Sequence, residues 1–228
     1  MTVVKDKPED QLALIDHQQY LLVKQIIDLT ICLLSLPVVL PIMACIALAV
    51  VVDSRGAPIF VQDRVGKDGR VFRMYKFRTL QKDYHDLDDR AFMQAFVAGK
   101  TVPHESRARQ AYYKPPIENK LTRVGRILRK LSLDELPQIF NVLQGEMSLV
   151  GPRPNVTWEV EKYHDWHYQR LKVLPGITGL AQVRGRSSIT FDGIVQHDLE
   201  YIQNQCLKLD LQILWWTVLA VLHRNGAG

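Results

Sequence analysis

An uncharged stretch, LTICLLSLPVVLPIMACIALAVVV, lies between Asp28 and Asp53 and carries two prolines, Pro37 and Pro41, in its middle third. At about 24 residues it is long enough to cross a hydrocarbon core of about 30 Å, for which a straight helix needs about 20. Each proline removes a backbone donor and crowds the carbonyl four residues earlier, so a helix containing both is expected to kink or break there. Two outcomes fit this pattern. A kinked helix can cross the bilayer once, or it can dip into one leaflet and return, provided that nearby groups satisfy the freed carbonyls. Ser35 is the hydroxyl placed to reach such a carbonyl.

The remainder of the chain is polar and basic. Of 228 residues, 29 are Lys or Arg and 24 Asp or Glu, a net charge of +5. Such a balance suits anionic lipid, nucleic acid or a phosphorylated substrate. Nucleic acid is disfavoured, because the basic residues are scattered and no helix-turn-helix, zinc-finger or RNP pattern accompanies them. The basic cluster Arg64, Lys67, Arg70, Arg73, Lys76 and Arg78 is expected on the cytoplasmic side. Three cysteines, two of them within the apolar stretch, offer neither a disulfide framework nor zinc-ligand spacing and agree with a reducing compartment. The opening residues lack the basic start and early apolar core of a secretory signal.

The expected organisation is a polar segment over 1–20, a membrane helix over 21–54 and one catalytic domain over 55–228. The class is α+β and mainly helical, with a short β-hairpin and amphipathic interfacial helices. Strands are expected over 58–62 and 71–78 around a turn at Lys67-Asp68-Gly69. A helix is expected over 86–97, with Phe92 and Phe96 on one face, then a polar loop to Lys120. Further helices are expected over 122–131, 134–143, 155–172, 193–204 and 207–223, with glycine-rich loops before and after 155–172. Trp215 and Trp216 in the last helix suit either a head-group layer or a core.

The chemistry centres on RKLSLDELP, residues 129–137. Pro137 requires a helix start just before it, which puts Asp134 and Glu135 in a first turn, where carboxylates are favoured. The same residues also read as a Ser132-x-x-Glu135 capping box with no catalytic meaning. Arg153, held between Pro152 and Pro154, is a stiffly mounted guanidinium suited to two-point phosphate binding. Arg129 is a second candidate cation. Gly176, Gly179 and Gly185 permit close backbone approach to a ligand. His164 and His167, three apart beside Tyr163 and Trp166, read as surface or packing residues rather than a metal site.

The ordered blocks KQIID, FVQDRVG, YKFRT, LRKLSLDELPQIFNVLQGEMSLVGPRP and LPGITGLAQVRGR, with the proline-broken run after the first, resemble the bacterial sugar transferases known as monotopic phosphoglycosyl transferases. The resemblance extends from Lys24 to Val221. It implies a re-entrant helix-break-helix at Pro37 and Pro41, with both ends cytoplasmic at the bacterial inner membrane. A departure from the family is Leu40, where a serine often precedes the break proline. The implied reaction passes a sugar 1-phosphate from a UDP-sugar to polyprenyl phosphate and initiates a membrane-bound glycoconjugate. Asp134 is the implied nucleophile, forming an aspartyl phosphosugar, and Glu135 its partner. Magnesium is the implied cofactor, at Asp134, Glu135 and Asp198. Arg129, Arg153, Lys76, Gln182 and Arg186 are implied substrate or phosphate contacts. Homo-oligomers are compatible with this reading. Two rival functions stand beside it: a non-enzymatic peripheral membrane module, and a glycosyltransferase that releases UDP.

Overall fold

A computed structural model describes residues 8–81, 87–99, 120–184 and 189–222. Arg186, Gly185, His223, the side chain of Phe92 and most of the 99–120 loop lie outside them. The fold is mainly helical around two small sheets.

Helix α1 runs from Pro8 to Asp53 with helical geometry through Pro37 and Pro41. The expected interruption is absent, so any change of direction is taken up as bending within the helix. The Ser35 hydroxyl donates to the Cys32 carbonyl at 2.8 Å. That is not one of the carbonyls at Leu33 and Pro37 that the prolines leave without a donor, so the role expected of Ser35 is not seen. From Tyr20 to Asp53 one face of α1 is packed on the domain. Cys32 and Leu36 join a core with Phe72, Met74, Ile139 and Val142. Farther on, Met43, Ile46, Ala47 and Val50 pack with Phe77 and Leu128. The opposite face leaves Leu33, Leu34, Val38, Leu48 and Val52 exposed.

Both ends of the apolar stretch are fastened to the domain. At the first end, Lys24 pairs with Asp210 at 3.2 Å, and Asp28 accepts from the Ser148 hydroxyl at 2.6 Å. Tyr20 and Tyr201 donate to the two oxygens of Asp210 at 2.9 and 2.8 Å. At the other end, Asp53 accepts from the Val124 N–H at 2.8 Å, capping helix α3 (Arg123–Lys130) beside its own Thr122 cap. Arg78 donates to the Ser54 carbonyl and hydroxyl.

The expected hairpin forms from β1 (Ile59–Val65) and β2 (Val71–Phe77), paired from Ile59↔Phe77 to Val65↔Val71. Strand β4 (Asn155–Val156) pairs with β1 on its far side. The outer edge of β2 is covered by Asn141, whose amide accepts from Tyr75 N–H and donates to the Arg73 carbonyl. This side chain imitates a strand and removes an open edge. Asn141 lies on α4 (Ile139–Leu143).

The second sheet pairs β3 (Ser148–Val150) in parallel with β5 (Gly176–Thr178). Here Gly176 and Gly179 face the backbone of Gly151 so closely that a Cβ on either would overlap it. Their smallness therefore serves backbone packing rather than a ligand. Helix α2 (Leu87–Val97) fills the expected 86–97 segment, and Phe96 packs edge-on to Phe191.

The single helix expected over 155–172 is not formed. Asn155 and Val156 are drawn into the first sheet, α5 (Thr157–Val160) is one turn, and Asp165–Lys172 is 3₁₀. Likewise the 174–186 loop contains β5 and the short α6 (Leu180–Arg184). Helices α7 (Phe191–Gln203) and α8 (Leu207–Leu222) agree with expectation. The tryptophan pair divides: Trp216 joins the core of Val150, Leu180, Tyr201 and Ile213, while Trp215 lies outside it with Leu211, Val218 and Leu222 along an exposed stripe.

Candidate active site

After α3 the chain turns through Ser132, which adopts φ 55° and ψ 21°, a left-handed conformation that costs a non-glycine residue about 1–2 kcal/mol. A 3₁₀ segment, Leu133–Gln138, follows and leads into α4. Three residues per turn stack positions i and i+3. Leu133 and Leu136 therefore share a face, which packs with α1 and α3. Asp134 and Glu135 fall on other faces and meet β2 and the segment after β3.

The capping-box alternative fails on this geometry. Ser132 makes no side-chain cap bond. Instead of reaching back, Glu135 Oε1 accepts from Lys76 Nζ and from Arg153 Nη2, both at 2.9 Å. Lys76 continues the inward face of β2 that carries Phe72 and Met74, so an alternation that builds the core also delivers a cation beneath the carboxylates. Arg129, in the last turn of α3, anchors its Nε to the Thr79 hydroxyl at 2.9 Å and acts electrostatically on Asp134. Thr79 was not singled out by the sequence. Its place in YKFRT, three residues after Lys76, was the available signal.

The two adjacent carboxylates are treated differently. Burial opposes the charge of Glu135, but Arg153 and Lys76 outweigh it and hold the group far below the ordinary carboxylate range. Asp134 is pushed upward by burial and by Glu135, and the attraction of Lys76, Arg129 and Arg153 only partly offsets this. Among the described residues, Asp134 has no side-chain hydrogen bond and no ion pair. Burial also pulls Lys76 down to about 8, against the pull of Glu135. The result is one clamped carboxylate and one open carboxylate among three cations, a place for a group carrying several negative oxygens.

Of the remaining expected site residues, Gln182 lies on α6 and donates to the Ile177 carbonyl at 2.9 Å, bracing β5. Asp198, on α7, is 1% exposed and pairs with Arg170 at 2.6 Å, and burial raises it to about 6 despite that partner. No cluster of three His, Cys, Asp or Glu with a metal-binding arrangement occurs among the described residues. The donor set still fits a magnesium ion that retains water and substrate oxygens. Asp134 offers uncommitted oxygens beside Glu135, while Asp198 is committed to Arg170. His164 is exposed. His167 is fully buried, accepts on Nδ1 from the His164 N–H and meets Asp192 through Nε2, and burial lowers its pKa.

Residues 19–224 match the family described as bacterial sugar transferase. The chain is 37% identical over 209 residues to the galactosyl transferase CpsE of Streptococcus agalactiae, covering 91% of this chain and 44% of that protein. To the undecaprenyl-phosphate galactose phosphotransferase of Salmonella typhimurium it is 37% identical over 204 residues, 90% of this chain and 41% of that one. These curated relatives are thus spanned over about two fifths of their length. The exopolysaccharide production protein ExoY of Sinorhizobium fredii is matched over 87% of its length, with 35% identity across 90% of this chain. The open and clamped carboxylates lie inside the matched region, and the chain belongs to the bacterial sugar transferase family.

Proposed function

We propose that the protein transfers a sugar 1-phosphate from a UDP-sugar to polyprenyl phosphate through a covalent phosphosugar on Asp134. The observation that carries this reading is the division between Glu135, which holds Lys76 and Arg153, and Asp134, which is left open beside them. The names of the Salmonella typhimurium, Komagataeibacter xylinus and Aeromonas hydrophila relatives, all undecaprenyl-phosphate sugar phosphotransferases, support the reaction class.

In the first displacement a carboxylate oxygen of Asp134 attacks the phosphorus that bears the sugar. The bond from that phosphorus to the bridging oxygen breaks, and UMP leaves with that oxygen. The attacking form of Asp134 is the carboxylate, and the burial that raises its pKa also increases the basicity of the attacking oxygen. Arg153, Lys76 and Arg129 bind the diphosphate and offset its repulsion of the incoming carboxylate. In the second displacement an oxygen of polyprenyl phosphate attacks the same phosphorus and the Asp134 carboxylate departs, leaving a polyprenyl diphosphate sugar. Glu135 keeps Lys76 and Arg153 in place through both steps. Magnesium, held at Asp134 with Glu135 adjacent, would supply further neutralisation of phosphate charge.

The same reading makes α1 re-entrant, with the domain at the cytoplasmic face of the inner membrane. It is supported by the fastening of both ends of the apolar stretch to one domain, at Asp210 and Ser148 and at Val124 and Arg78. A spanning helix would put those ends on opposite sides of the hydrocarbon core, out of reach of a single water-facing domain.

The test is incubation with UDP-sugar donors alone, followed by intact-mass measurement and nucleotide analysis. A phosphosugar adduct, with one UMP per protein and none of either in Asp134→Asn, is the expected result. Turnover retained by Asp134→Asn, or release of UDP, would overturn the mechanism.

A further inference from the structure

Pro152-Arg153-Pro154 has two residues without a backbone N–H, so the segment depends on donors from elsewhere to fix it. Each of its three carbonyls receives one. The Pro152 carbonyl accepts from Gly176 N–H at 2.9 Å, that of Arg153 from Arg170 Nη2 at 3.0 Å, and that of Pro154 from Arg64 Nη1 at 3.0 Å. These donors come from β5, the 165–172 segment and β1, three separate parts of the chain. Arg170 is 3% exposed. Its guanidinium pairs with Asp198 and donates to Asn155 Oδ1 and, at 2.9 Å, to the Tyr163 hydroxyl. Its carbon Cζ lies 5.7 Å from the ring centroid of Phe191. Asn155 is fixed in turn by Glu159 at 2.5 Å.

A buried ion pair is weak evidence for stability, since well-packed apolar residues of similar volume often serve as well. What Arg170 provides that an apolar residue could not is a pair of directed bonds to the main chain of Arg153 and the side chain of Asn155. We propose that Arg170, neutralised by Asp198, is a positioning residue. It fixes the backbone of Arg153 against Arg64 on the other side, so that the Arg153 guanidinium is aimed at Glu135 and at the donor's diphosphate. This rests on the proposed donor binding, and it gives Asp198 a role behind the site rather than at a metal.

Two measurements on the full chain in detergent test it, with UDP as the probe. In Arg170→Lys, hydrogen exchange of the amides in 151–156 is expected to accelerate at least tenfold, while exchange in the β1–β2 hairpin is unchanged. UDP affinity is expected to fall about tenfold, as for loss of one charge-assisted hydrogen bond. In an Arg153→Ala background the same substitution is expected to cause no further loss. Unchanged protection of 151–156, or independent multiplication of the two affinity losses, would overturn the proposal. Failure of the unaltered protein to bind UDP would count against the proposed function alone, since the exchange measurement still decides this one. Should Arg170→Lys not fold, Asp198→Asn, of the same size, carries both measurements with the same expected and overturning results.

Discussion

Replacing Glu135 by Gln preserves shape and removes the carboxylate charge to which Lys76 and Arg153 both donate. The three side chains are 19%, 15% and 27% exposed, so the pairs are largely desolvated. Removing one partner of a buried pair costs about 3–5 kcal/mol. The lower end applies here, because Lys76, already brought down to about 8, can shed its proton instead of remaining an unpaired cation. A loss of about 3 kcal/mol in a chain of this size lowers the melting midpoint by roughly 6–12 °C. The pH dependence has a definite sign. Glu135 is depressed in the folded state, so its contribution is fully present above its unfolded value of 4.5 and is lost as pH falls below that towards the folded value. The difference between the two proteins should therefore shrink by about 1.4 kcal/mol per pH unit below 4.5, and should also narrow as pH rises towards 8 because the variant's Lys76 loses its proton first. Tryptophan-fluorescence melting in detergent measures both. A shift below about 2 °C at pH 7.5, or one undiminished at pH 3.5, would refute the argument that this carboxylate is the site's counter-ion.

Gly176→Ala would drive a Cβ into the backbone of Gly151 and Thr178, which cannot yield as a side chain does, so a loss above about 3 kcal/mol is expected in the same melting assay. Tyr201→Phe removes the donor shared by Asp210 Oδ1 and the Val150 carbonyl, and should cost about 1–3 kcal/mol while leaving UMP release per folded molecule unchanged. Chelation with EDTA should abolish UMP release, and added Mg²⁺ should restore it; release indifferent to EDTA would remove the metal from the proposed reaction. Single cysteines at Gln18 and Ala57, both exposed, in a chain with Cys32, Cys45 and Cys206 replaced by Ala, should label from the same side of sealed vesicles. Labelling from opposite sides would make α1 a spanning helix.

The hairpin, α2, α3, α7 and α8 were legible because their apolar periodicity and turn residues act locally. The 155–172 segment was not. Its sequence is compatible with a helix, but Val156 and Asn155 gain more from pairing with Arg64 and Val65 of β1, a partner ninety positions away that no local pattern reveals. At the site, Asp134, Glu135, Lys76, Arg129 and Arg153 were each identifiable, and the structure brings them together. What could not be read was the allocation among them. Ser132-x-x-Glu135 is formally a capping box until the left-handed Ser132 redirects its own segment and Glu135 meets the strand-borne Lys76 and the proline-flanked Arg153. Asp198 and Gln182 were chosen for residue type and block membership, properties that do not distinguish a ligand contact from a brace. Arg170 stood outside every recognised block and offered no sequence signal at all.

The placement of the carboxylates beside the apolar helix follows from the 3₁₀ geometry and, in the proposed reaction, bears on how two dissimilar substrates would share the site. Leu133 and Leu136 press the segment onto the face of α1 formed by Met43, Ile46, Ala47 and Val50. The open carboxylate is therefore one residue away from the surface that anchors it to α1. An α-helical start at Leu133 would rotate successive residues by about 100° rather than 120°, so that Leu136 would sit about 60° round from Leu133 instead of directly above it. The left-handed Ser132 and the proline at 137 are what select the tighter turn: the first redirects the chain sharply after α3, and the second withholds a backbone donor at the junction with α4. In the proposed reaction a water-soluble diphosphate would meet the three cations of Lys76, Arg129 and Arg153, and a lipid phosphate would approach the same carboxylate along α1. On that reading the contact of Leu133 and Leu136 with α1 would tie the position of Asp134 to the apolar helix.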